Sequence, residues 1–245
     1  MTFINLTTAE RIKPIYRYTD FGRVVQMFQK REMVLVRPEK WDDPFENYLV
    51  DPEFRYTTGG ILRLSYRHVM HGACWSKKYV SDAMWRIYSP DKISVRIKST
   101  PEVIGQCLED ALDRYPRSSW HVGKVKYLRQ GEIIRMANDL ANKILTSDDK
   151  RETVAAKSAL FKRNSFSHEQ EVRVFVIDRH SKSKNGILKI KIDPHKIIQN
   201  IMVDSRAPDE WLDVYSTFMK NELGFKGKIS KSTLYRPVDR LIIEK

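Results

Sequence analysis

The stretch SHEQEVRVFVID, residues 167–178, limits how this chain can fold more than any other feature. Val172, Val174 and Val176 alternate with Arg173, Phe175 and Ile177, and period two with β-branched residues is the pattern of a strand. A strand needs a sheet, and the chain supplies further strand segments at intervals. They are IY at 15–16, MVLVRP at 33–38, HGACWSK at 71–77, KISVRIKS at 92–99, HVGKVKYL at 121–128, GILKIKID at 186–193, IIQNIMVD at 197–204, GKISKS at 227–232 and RLIIEK at 240–245. Helical spacing separates them. Phe21, Val24, Val25 and Phe28 form one apolar face behind a cap at Thr19 or Asp20, and Pro101 opens a helix to about Arg114. Ser81 caps a short helix at 82–88, and Pro208 opens a helix to about Leu223. Further helices are predicted from Ile61 to Met70 and from Gln130 to Phe161. No repeat or low-complexity linker divides the chain, so the sequence predicts one α+β domain over residues 1–245, with mixed, mostly antiparallel sheet and flanking helices.

The chain has 245 residues, 41% hydrophobic and 31% charged, which is a composition for a packed core and not for a disordered segment. Its formal net charge of +13 favours a polyanionic partner such as RNA or DNA. Cys74 and Cys107 are isolated thiols without a CxxC partner, which argues against a zinc site or a disulfide scaffold. His68 and His71 have no third ligand at metal spacing, so no metal is expected. Phosphate-binding glycine loops and the GxSxG elbow are absent. The first residues lack the layout of a secretory signal and no apolar run reaches about 18 residues, so a cytosolic protein without a membrane span is expected.

Four places carry chemistry. Arg17 lies between Tyr16 and Tyr18 at the end of an early strand, where a charge is awkward in a core unless it pairs with an acid such as Asp20. WDDPFENY, residues 41–48, is an Asp-Pro turn with aromatic anchors or a loop that touches a ligand. Glu169 and Glu171 stand two apart where a loop enters a strand; they either form ion pairs with Arg173 and nearby lysines or include a catalytic carboxylate. In MWRIY, residues 84–88, Met84, Trp85 and Tyr88 sit at helix spacing, as core residues or as a ligand cage.

With YRYT, WDDPFE, ACWSK, SDAMWRIY, VKY, HEQEVRV and IMVDSRAPDEW in this order, the chain resembles the bacterial domain-of-unknown-function family numbered 2971. That context implies a role in phage defence or as a toxin. The order of Arg17, Ser76 and Glu169-Gln170-Glu171 is also similar to that of ADP-ribosyltransferases of the arginine–serine–glutamate type. This second resemblance implies sheets that form a central cleft for NAD, used as substrate. It implies that Arg17 anchors phosphate or ribose and that Ser76 orients the ribose. Glu171 would stabilise the charge that develops as nicotinamide leaves, and Glu169 would engage the acceptor. Tyr16, Tyr18, Tyr88 and Trp85 would supply aromatic contacts to the cofactor. The alternative is a basic nucleic-acid-binding or nucleolytic module, in which Glu169 and Glu171 are structural or hold a divalent ion. The two separate on geometry: the first needs Arg17, Ser76 and Glu171 to line one hollow.

Overall fold

The structure is a computed structural model that describes residues 2–41, 43, 46, 53–55, 59–63, 66, 68–113, 118–146, 151–179 and 185–237. Its strands are β1 (Thr2–Ile4), β2 (Ile15–Thr19), β3 (Glu32–Val36), β4 (Glu53–Arg55), β5 (Ile61–Arg63), β6 (Met70–Ser76), β7 (Val95–Ser99), β8 (Ser118–Lys124), β9 (Lys126–Leu128), β10 (Phe161–Arg163), β11 (Glu171–Asp178), β12 (Ile187–Lys191), β13 (Asn200–Val203) and β14 (Lys228–Lys231). Ten of them form one mixed sheet in the order β1-β8-β11-β6-β2-β7-β13-β14, with β3 branching from β6 and β12 pairing β3. Only β1 with β8 and β13 with β14 run parallel within it; the other pairs are antiparallel. The sheet does not close into a barrel, and helices flank it.

β11 lies at the centre, paired along its length with β6 on one side and β8 on the other. Its alternation has a tertiary meaning on both faces. Val172, Val174 and Val176 enter the main core, with Ile97, Val122 and Ile201. Phe175 and Ile177 enter a second core, with Ala155, Ala156 and Leu160 from the helix Arg151–Ser158 and the turn after it. Truncating a residue buried like Phe175 to alanine would cost about 3–5 kcal/mol. The second face therefore carries its own layer, where the strand pattern alone assigned the core to the valine side.

The strands β1 and β4 were not expected, and three further segments differ from expectation. Ile61–Arg63 is a strand paired antiparallel with β4, where helical spacing predicted a helix through Met70. Hairpin pairing overrides local spacing there, and Met70 already belongs to β6. The helical run predicted to Phe161 ends at Ser158, and Phe161 opens β10, which pairs in parallel with β9. The segment 121–128 is two strands rather than one, β8 and β9. The strand predicted at 240–245 lies outside the described residues.

Close approach of β8 to the helical layer produces a specific steric limit. A Cβ on Gly123 would collide with Leu160 Cδ1, and Leu160 is fully buried. Gly123→Ala is expected to lose about 1–3 kcal/mol in urea unfolding. Gly131→Ala, in the helix Gln130–Thr146 with nothing within 4 Å of the new methyl, is expected to be neutral or to gain up to about 1 kcal/mol.

Candidate active site

β6 is paired unevenly along its second edge. It bonds β3 at Val36↔Gly72 and β2 at Tyr16↔Ser76, and residues 73–75 between these bridges have no strand partner on that edge among the described residues. The sheet splits at this point, and a cleft of about 750 Å³ opens along the unpaired stretch. That is the size of a small-molecule site. Arg17, Ser76, Glu169 and Glu171 all line it, with Tyr16, Tyr18 and Tyr88. The antiparallel register sets Glu171 opposite Ser76 and Arg173 opposite Cys74, so these four side chains leave one face of the sheet together.

Glu169 does not reach this face by strand alternation. It closes a run of 3₁₀ turns, Asn164–Glu169; Gln170 then takes a left-handed conformation (φ 46°) and β11 starts at Glu171. Ser76 holds this reversal. Its hydroxyl donates to the Glu169 carbonyl at 2.6 Å and accepts from the Lys78 amide at 3.0 Å. The cap on the following turn and the clamp on Glu169 thus come from one side chain, and its only proton is already used. The geometry makes Ser76 a positioning residue for Glu169.

Beneath the cleft lies a cluster of buried charges. Lys162 Nζ is 2.7 Å from Glu169 Oε2 and 2.5 Å from Glu171 Oε1. Arg173 donates from Nε to Glu171 Oε2 at 2.7 Å, from Nη2 to Glu46 Oε1 at 2.7 Å and from Nη1 to the Ala159 carbonyl at 2.8 Å. Trp41 lies over the Arg173 guanidinium, 4.6 Å away, and Arg163 donates to Asp43 at 2.8 Å. The ion-pair reading of Glu169 and Glu171 and the cleft reading are therefore both present. Trp41, Asp43 and Glu46 of the 41–48 segment line the same cleft.

These neighbours set the protonation states. Burial opposes ionisation of Glu171, but Arg173, a hydrogen bond with Glu169, and Lys162 outweigh it and hold the carboxyl well below its ordinary range. Glu169 is pushed up to about 8, by burial first and then by the adjacent Glu171. Cys74 also lines the cleft, and burial with the nearby Glu171 raises its thiol, so it is not a thiolate nucleophile at neutral pH.

The opposite wall is cationic and aromatic. Asp20 accepts from the Arg23 amide as a helix cap and makes no pair with Arg17. Among the described residues no carboxylate pairs with the Arg17 guanidinium, which burial pulls below its ordinary value. Tyr18 stacks on Tyr88 (6.5 Å, 27°) and meets Trp85 edge-on at 4.7 Å. Trp85 is fully buried and does not line the cleft: it backs Tyr18 from the core. Arg96 fixes Tyr16 from below, 4.3 Å from its ring. Sequence reasoning missed Lys162, because β10 was hidden in a helical reading. It also left Glu46 undecided. The single charge inside the apolar run of β11, Arg173, was the available signal for a buried ion cluster.

The raised Glu169 has a stability consequence with a definite sign. Its ordinary value is 4.5, so the folded state loses stability as pH rises from there through about 8. The lowered Glu171 gives a contribution already complete above its ordinary value, so it adds no slope in that window. The melting temperature of the native chain is expected to fall between pH 5 and pH 9 more steeply than that of Glu169→Gln, whose amide mimics the protonated acid. Parallel slopes would refute this assignment.

A family model described as "Protein of unknown function (DUF2971)" matches residues 84–174, a span that contains Lys162, Glu169, Glu171 and Arg173 and leaves Arg17, Glu46 and Ser76 outside. No curated protein matches the chain. No helix among the described residues is long and apolar enough to cross a membrane. Similar solved structures include Thermus sp. 2.9 DarT in complex with NAD+, at 10% identity and TM-score 0.38, covering 90% of this chain and 96% of that one. The same protein in complex with carba-NAD+ gives 10% identity, TM-score 0.37, and 90% and 96% coverage. In complex with ADP-ribosylated ssDNA it gives 10% identity, TM-score 0.40, and 94% and 97% coverage.

Proposed function

We propose that this chain is an NAD-dependent ADP-ribosyltransferase-like enzyme whose acceptor is nucleic acid. One observation carries the reading: Arg17, Ser76 and Glu171, distant in sequence, line a single cleft of about 750 Å³. A scattered arrangement would have favoured a nucleic-acid-binding module without this chemistry. The net charge of +13 supports a polyanionic acceptor.

Each side chain has a physical task in this scheme. Arg17, without a carboxylate partner among the described residues, offers a planar fork of donors to a pyrophosphate oxygen pair. Tyr88, 39% exposed and stacked on Tyr18, offers a ring face to a planar heterocycle at the cleft wall. NAD as substrate supplies a glycosidic bond whose cleavage leaves positive charge on the ribose. Glu171 is already ionised and fixed on two sides by Arg173 and Lys162, so it needs no reorganisation to meet that charge. Glu169 stands beside Glu171 and, pushed up to about 8, holds its proton at neutral pH, so it offers a hydrogen bond to the acceptor and takes the acceptor's proton only through its ionised fraction. Ser76 keeps the Glu169 turn in place.

The test is release of nicotinamide from NAD by the purified chain, with and without single-stranded and duplex nucleic acid. Glu171→Gln is expected to lower the rate about 100-fold or more. Because it leaves two buried cations short of a carboxylate, it is also expected to cost about 3 kcal/mol or more of stability, so melting curves must show a folded protein at the assay temperature. Arg17→Ala is expected to weaken NAD binding about 10–100-fold with little change in stability. Binding of the acceptor is expected to weaken steeply with salt. A folded native chain that neither releases nicotinamide nor gains thermal stability with NAD would rule the proposal out.

A further inference from the structure

Among the described residues the cluster at the cleft contains three carboxylates, Glu46, Glu169 and Glu171, and two cations, Lys162 and Arg173, all buried. Full ionisation would leave a net negative charge in a site screened from water. A buried uncompensated charge is costly, so the cluster keeps one proton. The contacts decide where. Glu171 has a cation on each oxygen, at 2.5 and 2.7 Å. Glu46 accepts from Arg173 at 2.7 Å and lies 3.3 Å from Lys162. Among the described residues Glu169 has Lys162 alone as a cation, at 2.7 Å, and it lies against Glu171.

We infer that Glu46, from the WDDPFE segment, sets the proton count of the Glu169–Glu171 pair: with Glu171 it takes up the donors of Arg173 and Lys162, and thereby leaves the proton on Glu169. Glu46 is a positioning residue acting through Arg173 and Lys162. The groups that face Glu169 from the packed elements are Lys162 on β10, Glu171 on β11, Tyr127 on β9 and Tyr88 of the helix Asp82–Tyr88. Burial keeps both phenols neutral, so neither substitutes for Glu46. Arg163, the next cation on β10, is engaged by Asp43. In functional terms the inference rests on the transferase reading, since that reading gives the proton on Glu169 its use.

The test is a ¹³C NMR titration of the full chain labelled at the glutamate carboxyl carbons, from pH 5 to pH 10. In the native chain one carboxyl is expected to titrate near pH 8 and to be missing from the Glu169→Gln spectrum. In Glu46→Gln the two cations face one carboxylate fewer, and this midpoint is expected to fall by about one pH unit or more, a tenfold weaker hold on the proton. In Lys162→Met it is expected to rise instead. A native chain with no carboxyl titrating above about pH 6.5, or an unmoved midpoint in whichever of the two variants folds, overturns the inference. Nicotinamide release measured on the same samples separates the two claims. A shifted midpoint with no NAD turnover sinks the transferase reading alone, and turnover with an unmoved midpoint sinks the role of Glu46 alone.

Discussion

The pairing of Arg173 with Glu171 is the interaction on which the rest of the site depends. A guanidinium with no solvent exposure inside a central strand is tolerable only when its donors are satisfied. Glu171 satisfies one side, Glu46 another and the Ala159 carbonyl a third, while the Trp41 ring covers its face. Two separate parts of the chain, the segment that holds Trp41 and Glu46 and the turn at Ala159, are thus tied to one residue of β11. The same contacts hold the Glu171 carboxylate ionised and rigid. Structural need and electrostatic preorganisation coincide here, because both require fixed charges in a low-dielectric setting.

The cleft follows from how the sheet divides. β6 accepts β11 along one full edge but shares its other edge between β2 and β3, one bridge each. Strands that diverge from a common neighbour must leave a gap, and the gap exposes backbone and side chains that a continuous ladder would cover. The large apolar layers on either side of β11 supply the rigidity that keeps this gap open. Trp85 contributes from within the core, where it supports Tyr18 rather than meeting a ligand.

Much of this was legible in the residues. The alternation at 172–177 read directly as strand, and the caps at Asp20 and Ser81 and the opening Pro101 mark helix starts where the structure has them. Arg17 and the Glu169/Glu171 pair stood out because charge at a strand end is unusual. Lys162 did not, since a short parallel strand such as β10 has too few residues for periodicity to declare itself. Glu46 did not either: an acid after an Asp-Pro turn looks like any exposed loop carboxylate until its partners are known.

The sequence by itself determined a mostly antiparallel α+β chain, most of the long strands and an excess of positive charge, because periodicity and composition are local properties that a linear reading can measure. Only the tertiary structure decided that β6 would be shared between two strands, that Glu169 would meet Glu171 through a left-handed turn, and that Glu46 and Lys162 would join them. Those outcomes depend on contacts between residues far apart in the chain. Their energies come from burial and pairing that no single segment contains.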